Sequence, residues 1–179
     1  DIYYPQVCNM LCSITNKKDF QEQVMCSFLE MLAAKTTDGL SCSNAEKVNY
    51  DKSYTMITNH RDIVLDASFL NLTLLKNKCR TTEVAIGDNL LIYQWIEDLV
   101  RLNKSVIVKR NLSIRQALEA AEQLSGYIHF ALTQKNESVW RAQRQGRAKD
   151  SSDATQESLI KMLSMKGEKS TLHNLLELN

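Results

Sequence analysis

The strongest constraint on this chain is a rhythm of four short apolar runs, each followed by a polar segment. They are Tyr54-Thr55-Met56-Ile57, Glu83 to Gly87, Ser105 to Val108 and Ser138 to Ala142. Between them lie stretches long enough for helices. One runs from Ala67 to about Asn77. A second, Asn89 to Asn103, carries Leu91, Trp95, Leu99 and Leu102 along one side. A third carries Ile114, Leu118, Ala121, Leu124, Ile128 and Ala131 at a spacing of three or four. Strand alternating with helix predicts an α/β protein with a largely parallel central sheet flanked by helices. Binding crevices in such sheets lie beyond the carboxyl ends of the strands. The segments following the runs therefore hold the functional interest: His60, Lys109-Arg110, and the loop Arg144 to Lys149.

The rest of the chain supplies packing. Asn16, with Asp19 three positions on, reads as a helix start. Phe20, Val24, Phe28 and Met31 predict an amphipathic helix over 17–35 that packs on the remainder, and its apolar face is also a candidate membrane contact. A weaker helix is expected over 5–15. Gly39 suits a helix stop, and 41–52 reads as loop. Residues 155–165 and 171–178 read as helices. This divides the chain into an N-terminal helical segment, 1–40, and an α/β domain, 41–179. Trp95 and Trp140 are expected in the core, with His129 at a boundary or on the surface and His173 in a C-terminal helix.

A chain of 179 residues with 44% hydrophobic and 24% charged content suits a globular domain. Its formal net charge of +1 gives no overall attraction to nucleic acid or anionic membrane, so any basic site is local. No apolar run approaches the ~18 residues needed to cross a bilayer. The first residues lack the basic flank of a signal peptide. The five cysteines, Cys8, Cys12, Cys26, Cys42 and Cys79, contain no CxxC pair and predict reduced thiols in a cytosol, without a metal site. Sequons at Asn71, Asn111 and Asn136 are expected to be accidental. No GxSxG pattern offers a nucleophilic serine.

Chemistry concentrates at His60. An imidazole takes a proton near neutral pH, and a carboxylate on its other nitrogen fixes the tautomer and stabilises the cation. Two candidates follow, Asp62 and Asp66. The basic loops at Lys109-Arg110 and Arg144 to Lys149, taken alone, read as solvated surface or a weak nucleic-acid patch.

Asn59-His60-Arg61-Asp62-Ile63-Val64-Leu65-Asp66-Ala67-Ser68, then Val108-Lys109-Arg110, then Trp140 to Asp150 with its Gln145-Gly146-Arg147 core, occur in an order that resembles the glycerolipid acyltransferase superfamily. The likeness is greatest to bacterial 1-acylglycerol-3-phosphate acyltransferase-like proteins and spans roughly Tyr54 to Leu163. It implies a glycerol-3-phosphate acyltransferase-like fold and transfer of a fatty acyl group from a coenzyme A or acyl carrier protein thioester to a lysophosphatidate-like acceptor in phospholipid synthesis. His60 would be the base and Asp66, or Asp62, its partner. Substrate contacts would come from Asn59, Arg61, Lys109, Arg110, Arg144, Gln145, Gly146, Arg147 and Lys149. No cofactor beyond the thioester co-substrate is implied. Cytoplasmic, peripheral contact with the inner face of the membrane is expected, with no nucleic-acid partner.

The chain departs from the superfamily pattern in three ways. Five residues separate His60 from Asp66 where four are usual. Gln145 stands where a glutamate precedes the glycine. The proline-containing fourth block is absent, so a truncated domain is expected. Other readings are transfer to another lipid acceptor, such as an acylated amino-acid lipid, or a non-catalytic module binding an anionic lipid or a protein. The catalytic reading requires His60, Arg110 and Arg147 to share one cleft.

Overall fold

A computed structural model describes residues 4–150, 154–166, 170–176 and 178. Its centre is a four-stranded, all-parallel sheet in the order β1-β4-β2-β3, with β1 Thr55–Thr58, β2 Glu83–Gly87, β3 Ser105–Val108 and β4 Val139–Ala142. Each strand is one of the four apolar runs, rich in the β-branched and apolar residues that suit a pleated surface. The connections carry helices: α4 (Leu65–Lys76) after β1, α5 (Gln94–Leu102) after β2, and α6 (Ile114–Thr133) after β3. Ser113 starts α6 with a capping box, its side chain and that of Gln116 each accepting from the other's backbone N–H.

Successive residues of a strand face opposite sides of a sheet, and β4 makes this visible. Val139 packs with Ile128, Ala131 and Leu132 of α6 and with Leu159, Met162 and Leu163 of α7 (Glu157–Leu163). Trp140 packs on the other face with Val84 and with Ala67 of α4. Helices thus cover both faces.

The ladders are unequal. β1 and β4 stay paired from Thr55↔Val139 to Thr58↔Ala142, and β2 and β3 from Val84↔Ser105 to Gly87↔Val108. Between β2 and β4 pairing ends at Val84↔Trp140. The sheet therefore splays at its middle, on the carboxyl side.

Three expectations about facing need correction. The N-terminal segment forms α1 (Tyr4–Cys12), a helical turn α2 (Lys17–Asp19), a π-helical stretch Phe20–Met25, and α3 (Cys26–Thr36). The π stretch shifts the helical phase, so Phe20, Gln21, Leu29 and Ala33 are buried while Phe28 and Met31 are exposed. Gln21 is held by Asn103 and Thr81, so a polar residue takes the position a periodic stripe would give to an apolar one. On α5 the stripe Trp95, Leu99, Leu102 faces outward, and Trp95 is 64% exposed rather than core. The start of α6 is also bare, Ile114 being 93% exposed, while Ser125, Ile128, Ala131 and Leu132 in its second half are buried. Trp140 is in the core and His129 lies at a boundary. All five cysteines are free thiols.

Candidate active site

The carboxyl ends of β1, β3 and β4 deliver the three polar segments to one side of the sheet. β1 ends at Thr58, and two residues later His60 is fixed from several directions. Its carbonyl accepts from Ala148 N–H at 2.7 Å, which ties the β1 loop to the loop after β4. Trp140 donates its indole N–H to Thr58 Oγ1 at 3.0 Å, and its ring meets the imidazole edge-on at 6.3 Å between centroids. An imidazole braced by a buried indole cannot swing freely, and such fixed geometry is what proton transfer requires.

Asp66 is the carboxylate that meets the ring. It stands in the first turn of α4, and its Oδ2 accepts from His60 Nδ1 at 2.9 Å. The same oxygen accepts from the backbone N–H groups of Arg61 and Asp62 at 2.8 and 3.0 Å. Asp62 has another task. Its Oδ1 accepts from the N–H groups of Val64 and Leu65, both at 2.8 Å, and so holds the turn that enters α4. These two bonds hold its carboxyl below the usual carboxylate range, with Arg147 and His60 adding smaller favourable charge effects. The five-residue spacing works because three of those residues form this turn.

With Nδ1 donating to Asp66, His60 Nε2 remains the basic nitrogen, and it has no hydrogen-bond partner among the described residues. The ring borders a cleft of about 520 Å³ that is also lined by Arg110, Gln145, Gly146 and Arg147. The convergence of His60, Arg110 and Arg147 required above is thus present. Arg110 comes from the turn after β3, where its backbone N–H donates to Asp88 Oδ1 at 3.0 Å. Gly87, ending β2, makes room for it: a Cβ there would lie 3.0 Å from Arg110 Nε and would overlap Asn89 Oδ1. Gly146 has φ +76°, a conformation that favours glycine.

Other expected contacts lie elsewhere. Asn59, Lys109 and Lys149 are exposed outside the cleft lining. Arg61 donates from Nη1 to the Asp150 carbonyl at 2.7 Å and so serves the loop. Arg144 borders a smaller neighbouring cavity. In exchange the cleft gains Ile63, Gly87, Asn89, Leu90 and Asn111. The glycine closing β2 was the one sequence signal for this wall, because a strand-end glycine marks close approach. Asn111, with φ +53°, gave no comparable signal.

A larger cavity, about 800 Å³, opens at the amino ends of β2 and β3. Its buried charges are already matched. Glu83 accepts from Lys135 and from the Tyr127 hydroxyl, and Lys104 pairs with Glu137 at 2.6 Å. Among the described residues its lining contains no imidazole–carboxylate pair beside guanidinium groups, which the smaller cleft has. Among the described residues no group of His, Cys, Asp and Glu side chains could hold a metal ion, and no helix is long and apolar enough to cross a membrane.

The cleft can remove a proton from a bound group through His60 and grip an anion through Arg110 and Arg147. No described protein family, curated protein sequence or solved structure matches this chain.

Proposed function

We propose that this chain is an O-acyltransferase that moves a fatty acyl group from a carrier thioester to the hydroxyl of a lysophosphatidate-like acceptor. The observation that carries the reading is the His60–Asp66 pair opening on the same cleft as Arg110 and Arg147. The resemblance of the three sequence blocks points the same way, as does a parallel sheet with helices on both faces. We read that sheet as glycerol-3-phosphate acyltransferase-like.

In this mechanism the two arginines hold the acceptor's phosphate and bring its hydroxyl to His60. Nε2 takes the hydroxyl proton as the oxygen attacks the thioester carbonyl carbon. The tetrahedral adduct collapses, the C–S bond breaks, and the departing sulfur takes the proton back from Nε2. An ester and a free thiol result, with no net change in charge or redox state. Asp66 stabilises the imidazolium between these steps. Acceptor and product are amphiphilic, so the reading includes peripheral contact with the cytoplasmic face of a membrane. Gln145 contributes hydrogen bonds but no charge, which also suits a less polar acceptor than lysophosphatidate.

The test is transfer of a labelled acyl group from coenzyme A and acyl carrier protein thioesters to a panel of lyso-acceptors. His60→Ala should lower kcat/KM by about 10²–10⁴. Asp66→Asn should lower kcat by about 10²–10³ with little change in KM, because it acts on the charged state of His60. Transfer that persists at the wild-type rate in His60→Ala rules the reading out. Vesicle binding without transfer by the wild-type chain would favour an anion-binding module.

A further inference from the structure

Beside the cleft lies a second, smaller cavity of about 110 Å³, sharing Ala85, Arg110 and Gln145 with it. It exists because β2 and β4 part beyond Val84↔Trp140, leaving space between Ala85 and Ala142. Arg110, Arg141 and Arg144 line it, together with Gln156 and Ser158, and among the described residues no carboxylate does.

Arg141 is the anomaly. It sits within β4, opposite Ile57 of β1. Its guanidinium forms no hydrogen bond or ion pair among the described residues. Burial, and then the neighbouring charge of Arg110, push its pKa down to about 10. A largely buried cation facing a second cation is costly, and buried charges are ordinarily paired. An anion small enough for this cavity, with acceptor oxygens for more than one guanidinium, would compensate that charge.

We propose that the cavity is a second oxyanion subsite that takes a phosphoryl group, held by Arg141 and Arg110 with the neutral polar side chains completing the shell. It is distinct from the anion position between Arg110 and Arg147 in the cleft. The volume admits one tetrahedral oxyanion and excludes a nucleotide base or an acyl chain. Two guanidinium groups, Arg110 and Arg141, with no carboxylate among the described lining residues, select a multiply charged anion over a singly charged one. The subsite does not depend on acyl transfer, and binding is read without turnover.

The experiment titrates inorganic phosphate, glycerol 3-phosphate and coenzyme A separately into wild type, Arg141→Gln and Arg147→Gln. Calorimetry gives the affinities and thermal melts give the apo stabilities. Arg141→Gln should weaken at least one of the three by tenfold or more. Its apo Tm should equal or exceed that of wild type, because an uncompensated buried charge is gone. Which probe weakens identifies the source: free phosphate, an acceptor head group, or a donor phosphate. Arg147→Gln should leave the Arg141-dependent binding in place. In the wild-type protein, the Arg141 Nε–H resonance should shift on titration, a readout that needs no folded variant. Wild-type affinity for all three probes in Arg141→Gln, or an Arg141 resonance that no probe moves, overturns the proposal.

Discussion

Gly87→Ala separates steric fit from backbone strain at the cleft wall. Gly87 has φ −77° and ψ 141°, which alanine adopts freely. On backbone grounds alone the substitution would stabilise the protein by about 0.4–1 kcal/mol, by restricting the unfolded chain. The new methyl, however, overlaps Asn89 Oδ1 and lies 3.0 Å from Arg110 Nε and 3.5 Å from its Cγ. The Asn89 amide can rotate away. Arg110 is met partway along its side chain and must shift as a whole. Relieving such crowding costs about 1–3 kcal/mol, so the net effect is a loss of roughly 1 kcal/mol. Displacing Arg110 should also remove a charge-assisted contact worth about 1.5–3 kcal/mol, a tenfold to hundredfold loss of affinity for a phosphate ester. Urea melts and calorimetric titration with glycerol 3-phosphate measure both. Gly126→Ala is the control, because its methyl would touch only the Lys166 side chain, at 3.6 Å. In the interior of α6 it should stabilise by about 0.5–1 kcal/mol. If Gly87→Ala stabilises as much as the control and binds the ester normally, the argument that Gly87 seats Arg110 is wrong.

Asp62→Ala should cost about 0.5–2 kcal/mol at pH 7, as the loss of a cap does. Because the folded carboxyl is held below its usual range, its contribution is complete above that range and disappears as pH falls through the lowered value. Urea midpoints of wild type and variant should therefore converge as pH falls below the usual carboxylate range, and a gap that widens on acidification contradicts the assignment. Lys135→Ala strands Glu83, whose side chain is 7% exposed. Removing one partner of a buried pair costs about 3–5 kcal/mol, and the partial exposure of the ammonium reduces this to roughly 2 kcal/mol. Adding Glu83→Gln should recover part of the loss in urea melts, and a single variant as stable as wild type would show that the pair contributes nothing.

The α/β alternation was legible in the residues because it is a local property. Four short apolar runs and the helical spacings between them need no knowledge of distant contacts, and the parallel sheet follows from their order. Placement of His60, Arg110 and Arg147 at one end of that sheet follows too, since polar segments after parallel strands share an end. Decisions that depend on phase or distance were made by the tertiary structure. The π stretch turned Phe28 and Met31 outward. α5 buried none of its residues fully and left Trp95 in solvent. One turn before α4 gave Asp66 to the imidazole and Asp62 to the backbone. The parting of β2 from β4 gave Arg141 its cavity, although in sequence it reads only as a charged residue inside a strand. A chain can specify which side chains exist and at what period they recur, but which of two nearby carboxylates lies 2.9 Å from a ring is set by how the turn into α4 folds and how its loop is tied to the loop after β4.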